Sequence, residues 1–158
     1  MKLRSLTLML ALLCLLCPIF LACAEETPQY GEFVPPPFDA AAVVGTPTVP
    51  EELGWRELDV KGVYKVSVCG VLKPSGKTLD IWFTSPESNT VWLKVRLIDA
   101  EGNTLGESGL IRPGEYVQSI TLDSVPETDS AVVLKVMGYM PDTYYSAGEA
   151  ELKTKIYA

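Results

Sequence analysis

One stretch decides the fold class: residues 131–157, AVVLKVMGYMPDTYYSAGEAELKTKIY. Two runs of alternating apolar and polar residues flank a turn that contains Gly138, Pro141, Asp142 and Gly148. Such alternation is typical of half-buried β-strands, because successive side chains of a strand point to opposite faces. The stretch therefore predicts a β-hairpin with an aromatic-rich loop.

The chain before this hairpin shows the same alternation. Alternating runs occupy residues 62–72, 77–84, 90–98, 104–108 and 115–122, and turn-forming residues separate them. About seven strands at this spacing predict an all-β fold, a single antiparallel β-sandwich of immunoglobulin or fibronectin-III type. We place this sandwich domain at residues 60–158.

Residues 1–24 have the pattern of a secretory signal. Lys2 and Arg4 precede a long apolar run, which ends in Ala22-Cys23-Ala24. A positive start, an apolar middle and small residues at the cleavage point are typical of such signals. We therefore predict an exported protein, either secreted or attached to the outer face of the cell membrane or the cell envelope.

Cys23 has two alternative fates. Cleavage after Ala24 removes it with the signal, whereas lipidation at Cys23 anchors the chain, since Leu21 and Ala22 before it resemble a bacterial lipobox. The lipobox match is imperfect, because leucine stands two positions before the cysteine instead of three. An uncleaved apolar anchor is a third alternative. A lipid on Cys23 is the membrane link that we predict.

Residues 25–59 are rich in proline and acidic residues. Proline fixes φ and removes a backbone donor, so a long helix or a central strand is excluded here. One interpretation is a semi-rigid extended spacer. The other is a segment that docks on the sandwich, because a free linker would not carry Phe33, Phe38 and Trp55.

Charge and composition exclude several functions. The chain has a formal net charge of −7 and contains no histidine. Excess negative charge disfavours nucleic acid as a partner. Without histidine, Ser-His-Asp and Cys-His nucleophiles and histidine-ligated zinc are excluded. We predict no enzyme, no catalytic residue, no metal and no cofactor.

Cys69 is the one cysteine beyond the predicted signal, so no disulfide framework is available to the sandwich. Its neighbours Val68 and Val71 are apolar. We therefore predict that Cys69 is a small buried hydrophobic residue on a strand and not a reactive thiol.

Five aromatic residues are candidates for ligand binding: Trp82, Trp92, Tyr139, Tyr144 and Tyr145. Trp82 and Trp92 have the outward parity of adjacent strands, which predicts that they lie side by side on one sheet face. Exposed rings offer apolar faces to the C–H groups of a sugar, so they predict a carbohydrate platform. The alternative is structural: these rings form cross-strand pairs that stabilise the sheet, or they receive the N-terminal proline-rich segment.

Arg112 and Glu115 are candidates for a contact loop. They flank Pro113-Gly114, a dipeptide that favours a tight turn. One interpretation displays both charged side chains to a partner. The other is structural, a turn that leads into a strand with Tyr116 packed at its corner.

Three phrases resemble a group of known proteins: residues 89–99, NTVWLKVRLID; 108–116, SGLIRPGEY; and 136–148, VMGYMPDTYYSAG. Over residues 60–157 the chain resembles small exported β-sandwich proteins of Gram-positive gut bacteria of the clostridial type, some of which would be lipoproteins. The resemblance implies a secreted or cell-surface sandwich, and it transfers no activity and no functional residue.

These patterns lead to three hypotheses about function. The first is a non-enzymatic interaction or structural module, secreted or on the cell surface, whose partner is another surface protein or a glycan. The second is a carbohydrate-binding module that uses the aromatic residues. The third is a hydrolase that uses two carboxylates about 5 to 10 Å apart in a pocket. The sequence predicts neither the ligand nor the oligomeric state.

Overall fold

The computed structural model describes residues 33–158. The export signal predicted at residues 1–24, the lipidation predicted at Cys23 and residues 25–32 of the proline-rich segment lie outside the described residues. All strands described below belong to one unit, Pro35–Ala158. In the described part of the chain, no helix combines the length and the apolar character needed to cross a membrane.

Strands account for most of the regular structure. In residues 33–158 they are β1 (Val43–Val44), β2 (Trp55–Val60), β3 (Tyr64–Cys69), β4 (Pro74–Ser75), β5 (Thr78–Thr84), β6 (Trp92–Asp99), β7 (Thr104–Glu107), β8 (Glu115–Thr121), β9 (Ala131–Tyr139) and β10 (Ser146–Lys155). A 3-10 turn at Glu51–Leu53 precedes β2.

The strands form two antiparallel sheets that pack together. The first sheet has the order β1-β8-β5-β3-β2, with β4 paired to β5, and the second has the order β10-β9-β6-β7. The predicted antiparallel β-sandwich is therefore confirmed. The strands outnumber the predicted seven because β1 and β4 are two-residue pairings and β2 lies in the proline-rich segment. The immunoglobulin or fibronectin-III type stays a prediction.

Alternation along the strands builds the core between the sheets. Its fully buried side chains include Leu79, Ile81 and Phe83 of β5, Leu93, Val95 and Leu97 of β6, and Leu134 and Val136 of β9. Each such side chain contributes roughly 1.5–3 kcal/mol on burial. Cys69 of β3 is fully buried, as predicted from its apolar neighbours.

Residues 37–45, which we call the strap, pair with both sheets. The Leu110 N–H donates to the Pro37 carbonyl (2.9 Å), and the Asp39 N–H donates to the Leu110 carbonyl (2.8 Å). The segment around Leu110 is itself bonded to β6 of the second sheet, through Ile111 and Leu93. Further along, β1 pairs with β8 of the first sheet. The strap therefore covers one edge of the sandwich.

Residues 35–59 of the proline-rich segment are thus docked. Beyond the strap, β2 pairs along its whole length with β3, from Trp55 opposite Cys69 to Val60 opposite Tyr64. The boundary that we placed before residue 60 therefore falls at the end of a paired strand, and residues 35–59 belong to the same unit as the sheets. Proline does not prevent this docking, because β2 contains none.

A partly enclosed ion-pair cluster lies on the outer face of the second sheet. Lys94 is 7% exposed, and its Nζ lies 2.7 Å from Oε1 of Glu107, whose Oε2 lies 2.8 Å from a guanidinium nitrogen of Arg96. Burial disfavours the charged form of Glu107, but the hydrogen bonds and charges of Lys94 and Arg96 outweigh it and hold the pKa of Glu107 below its usual value.

Gly109 is required where the strap crosses the chain. A Cβ at this position would lie 2.5 Å from the Asp39 nitrogen. Gly109→Ala is therefore expected to displace the strap and to lower the free energy of unfolding by about 1–3 kcal/mol. Urea denaturation measures the loss, and faster hydrogen exchange of the Asp39 and Leu110 amides locates it.

The matched control for Gly109→Ala is Gly70→Ala. A Cβ at Gly70 would meet its nearest heavy atom, the Gly54 carbonyl oxygen, at an ordinary 3.7 Å. We expect this variant to unfold within about 0.5 kcal/mol of the wild type or to be more stable. Equal losses in the two variants would contradict a specific contact between Gly109 and the strap.

Glu107 is expected to make stability depend on pH. The pKa of Glu107 is lowered in the folded protein. The carboxylate therefore contributes its full stabilisation above pH 4.5, the ordinary pKa, and this stabilisation is lost as the pH falls through the pKa of the folded state. Glu107→Gln should lower the free energy of unfolding by about 1 kcal/mol at neutral pH, a modest loss because the carboxylate is partly solvated. The substitution should also make the free energy of unfolding decline less steeply below about pH 5. Urea denaturation across pH measures both, with the exposed Glu101→Gln as control; an unchanged pH profile would contradict the assignment.

Candidate functional site

An aromatic patch lies where β6 begins and β9 ends. We define it as Phe38, Trp92, Tyr139, Tyr144 and Arg112. Trp92 is in register with Tyr139 on the neighbouring strand. The rings of Phe38 and Tyr144 meet Trp92 edge-on, with centroid distances of 4.8 Å and 5.2 Å. Edge-to-face contacts of this kind are favourable and fix the rings relative to one another.

Arg112 completes the aromatic patch. Its guanidinium carbon lies 3.6 Å from the centroid of the Phe38 ring, a cation–π contact. Glu115 orients the turn, since its Oε2 accepts the Arg112 N–H at 2.7 Å. The Arg112 side chain is 50% exposed, whereas that of Glu115 is 13% exposed. Of the two predicted contact residues, Arg112 faces solvent and Glu115 closes the turn.

The loop at residues 140–145 presents the remaining aromatic residues. The Met140 N–H donates to the Tyr145 carbonyl (2.8 Å), and the Tyr144 N–H donates to the Met140 carbonyl (3.0 Å). Asp142 and Tyr144 have positive φ values of 63° and 56°. A left-handed conformation costs a non-glycine residue about 1–2 kcal/mol. The loop thus holds the ring of Tyr144 against Trp92 in spite of this conformational energy. It leaves Tyr145 75% exposed to solvent.

The structure corrects the predicted pairing of Trp82 with Trp92. Trp82 lies in β5 of the first sheet, and Trp92 lies in β6 of the second. The prediction was wrong because the chain crosses between sheets after β5, so strands that are consecutive in sequence are not neighbours. A platform made of these two side chains therefore does not form.

Trp82 has a role within the first sheet. It lies at a β-bulge between Asp80 and Phe83 and has a φ of 46°. Its carbonyl accepts hydrogen bonds from the Trp55 indole (2.9 Å) and the Thr84 hydroxyl (3.0 Å). Its ring stacks on Tyr116, with centroids 6.1 Å apart. These contacts connect β5 to its neighbours and to the docked segment, as the sheet-stabilising interpretation of the aromatic residues predicts.

Phe38 is the patch residue that the sequence analysis did not assign to a site. Its place depends on the parallel bridge between Phe38 and Leu110, which joins positions far apart in the chain. No local pattern encodes such a pairing. The available signal for Phe38 was its position directly after three prolines. It lies in the segment that the sequence predicts to be either an extended spacer or a docking segment.

Two buried titratable groups stay protonated at neutral pH. Burial, with a smaller contribution from the charge of Asp80, raises the pKa of the Cys69 thiol to about 12. Burial and the charge of Glu149 raise the pKa of the Tyr64 hydroxyl to about 12 as well. A nucleophilic cysteine needs a lowered pKa, so Cys69 has the opposite electrostatic environment.

A cavity of about 400 Å³ beside the β6–β7 turn bears on the hydrolase hypothesis. It is lined by three carboxylates, Asp99, Glu101 and Glu127. Asp99 accepts hydrogen bonds from the Asn103 side chain (2.9 Å) and backbone N–H (2.7 Å), which hold its pKa below the usual value. A general acid needs a raised pKa instead. Within residues 33–158, no three histidine, cysteine or acidic side chains are placed to hold a metal ion.

Comparisons with known proteins provide little for this chain. No protein-family model matches it, and no curated protein matches it. A solved structure that it resembles is the beta-glucuronidase of Ruminococcus gnavus in complex with uronic isofagomine, at 19% sequence identity and a TM-score of 0.37. The match covers 56% of this chain and 14% of that chain. The chain spans a small part of that enzyme's length, and the likeness assigns it no activity.

Proposed function

We propose that this protein is a non-enzymatic, exported interaction module that binds another surface protein through the aromatic patch. One observation carries the proposal: the rings of Phe38 from the strap and Tyr144 from the 140–145 loop converge on Trp92 of β6, which is in register with Tyr139 of β9 and lies near the half-exposed Arg112. Tryptophan, tyrosine and arginine are the residues that most often dominate the energy of protein interfaces.

The patch is ordered before any partner arrives, which supports a binding role. Trp92 is held from two sides by Phe38 and Tyr144, so few rotamers remain to be lost on binding. Next to these rings, Tyr145 and Met140 expose 75% and 44% of their surface. A rigid aromatic base with exposed apolar groups beside it has the anatomy of an interface centre.

The chemistry of the chain supports binding over catalysis. The sequence contains no histidine. Cys69 and Tyr64 are protonated at neutral pH, and hydrogen bonds keep Asp99 in its charged form. Cys69 and Tyr64 lack the lowered pKa that a nucleophile needs, and Asp99 lacks the raised pKa that a general acid needs.

A glycan is the second candidate ligand. The observation in its favour is the ring of Tyr145, which is 75% exposed and stands next in the chain to Tyr144 of the patch. An exposed ring accepts the C–H face of a sugar, and the Arg112 guanidinium nearby supplies donors for hydroxyl groups. A glycan array probed with the purified protein distinguishes this candidate from a protein partner.

Tyr145 provides the test of the patch. Photo-crosslinking from p-benzoylphenylalanine at position 145, on the cells that make the protein, should capture a discrete surface protein. The same probe at Val63, a 52% exposed residue on the β2–β3 turn, is the matched control. Crosslinks that are equally strong from both positions, or an absence of any crosslink at 145, would contradict the patch as the binding surface.

Tyr145→Ala is then expected to weaken binding of the captured protein at least about tenfold, as removal of an aromatic contact residue at an interface can. Its free energy of unfolding should stay within about 0.5 kcal/mol of the wild type, because the ring is exposed. Isothermal titration calorimetry measures the first and urea denaturation the second. Val63→Ala should change neither, and an unchanged dissociation constant for Tyr145→Ala would rule out this role.

Export is a separate part of the proposal, and residues 1–24 support it by their sequence alone. Intact-mass spectrometry of the protein from the cells that produce it should find either a chain that begins at Glu25 or a diacylglycerol adduct at Cys23. Detection of the unprocessed chain as the main species, without lipid, would contradict cleavage and lipidation alike.

A further inference from the structure

A cavity of about 240 Å³ lies between the two sheets, on the side of the sandwich where β2 and β10 are the last strands of their sheets. Its apolar lining comes from both sheets: Leu58 of β2, Val68 of β3, Leu134 of β9 and Leu152 of β10. Val68 and Leu134 are fully buried, whereas Leu58 and Leu152 are partly buried. Among the described strands no pairing joins β2 to β10, so the cavity lies in the gap between them.

The chain after β3 closes one end of this cavity. The Gly70 carbonyl accepts a hydrogen bond from the Thr154 hydroxyl (2.8 Å), and the Leu72 carbonyl accepts one from the Tyr157 N–H (2.8 Å). The Gly70 N–H donates to the Gly54 carbonyl (3.3 Å), directly before β2. The same short segment is thus bonded to the end of β10 and to the start of β2, which makes the cavity a pocket with one closed end.

Two basic residues, Arg56 and Lys153, line the cavity near this closed end. Arg56 is opposite Val68, and Lys153 directly precedes Thr154. Arg56 has the strand parity of Leu58, which packs against the core, so it lies on the cavity side of β2. Both basic residues are exposed, and neither forms an ion pair with a residue that the structure describes. None of the described residues that line the cavity is acidic, although the chain has a net charge of −7.

We propose that this cavity binds one medium-chain fatty acid, with its carboxylate at Arg56 and Lys153 and its alkyl chain along Leu58, Leu134 and Leu152. An apolar lining with a few polar groups that fix orientation is the usual anatomy of a small-molecule site. The guanidinium of Arg56 can donate two parallel hydrogen bonds to a carboxylate. The leucine lining removes the alkyl chain from water, which is favourable. The site shares no residue with the aromatic patch, so it is a second binding site beyond the proposed interaction surface.

The volume and the charge of the cavity limit the class of ligand. The volume of about 240 Å³ is that of about eight groups the size of a water molecule in the liquid, which fits one alkyl chain of about six to eight carbons. A lipid with two acyl chains would leave one of them in water, which is unfavourable. The two unpaired basic residues favour an anionic head group over a cationic one. A free fatty acid therefore fits the cavity better than a membrane lipid or an alkylamine.

An NMR titration of the isotope-labelled full chain, as the cell produces it, with sodium octanoate tests the proposal. The amide signals of Gly70, Leu152 and Thr154 should shift together, with a dissociation constant below about 1 mM. Octylammonium has the same alkyl chain and the opposite charge, so it should bind at least about tenfold more weakly. Dioctanoyl phosphatidylglycerol, the lipid control, should also bind more weakly than octanoate.

Arg56→Glu should weaken octanoate binding at least about tenfold, because it places a like charge beside the carboxylate. Arg56→Lys keeps the positive charge and should retain most of the affinity. Lys153→Glu repeats the test from β10 and should also weaken binding. The matched control is Lys77→Glu, which makes the same change in net charge at an exposed residue outside the cavity and should bind like the wild type. The dispersion of the amide signals verifies that each variant is folded.

Four outcomes would overturn the proposal. They are no saturable shift at the cavity up to about 10 mM octanoate, saturable shifts at the aromatic patch instead, equally strong binding of octylammonium, and equal losses in Arg56→Glu and Lys77→Glu. Tighter binding of dioctanoyl phosphatidylglycerol than of octanoate would overturn the assignment of a free fatty acid as the ligand.

Discussion

Two backbone hydrogen bonds at Leu110 hold the aromatic patch together. They fasten the strap to the segment that continues the second sheet. By doing so they bring Phe38 against Trp92 and under the guanidinium of Arg112. These side chains come from three separate parts of the chain, and the bonds at Leu110, together with the pairing of β1 with β8, set their spacing. The close approach at Gly109 serves the same attachment, because only a glycine leaves room for the Asp39 backbone.

The strands and the core were predictable from sequence, because alternation is a local property that each strand carries by itself. The alternation along β9 predicts that Val132, Leu134 and Val136 share the core side of the strand, and all three are buried. The division of strands between sheets was not predictable in this way. Trp82 and Trp92 have equal parity, yet the chain crosses from one sheet to the other between them, and parity contains no information about that crossing.

The candidate site was predictable in part. Trp92, Tyr139, Tyr144 and Arg112 were predictable as candidate contact residues, because side-chain type and strand parity are local properties of the sequence. Phe38 was not predictable in this way, because its position depends on a long-range pairing. The strained backbone at Tyr144 was not predictable either, because nothing about a tyrosine favours a positive φ. Only the surrounding contacts stabilise that conformation.

The two borders of the second sheet differ in what they leave accessible. On the β7 side, Gly106 bridges to Leu122, and the strap continues the coverage at Leu110. On the other side, no strand lies beyond β10 among the described residues, and Leu72 bridges to Ile156 just past its end. New strands can therefore extend the second sheet in one direction only. Covering the β7 side in this way removes one of the two edges through which that sheet could polymerise.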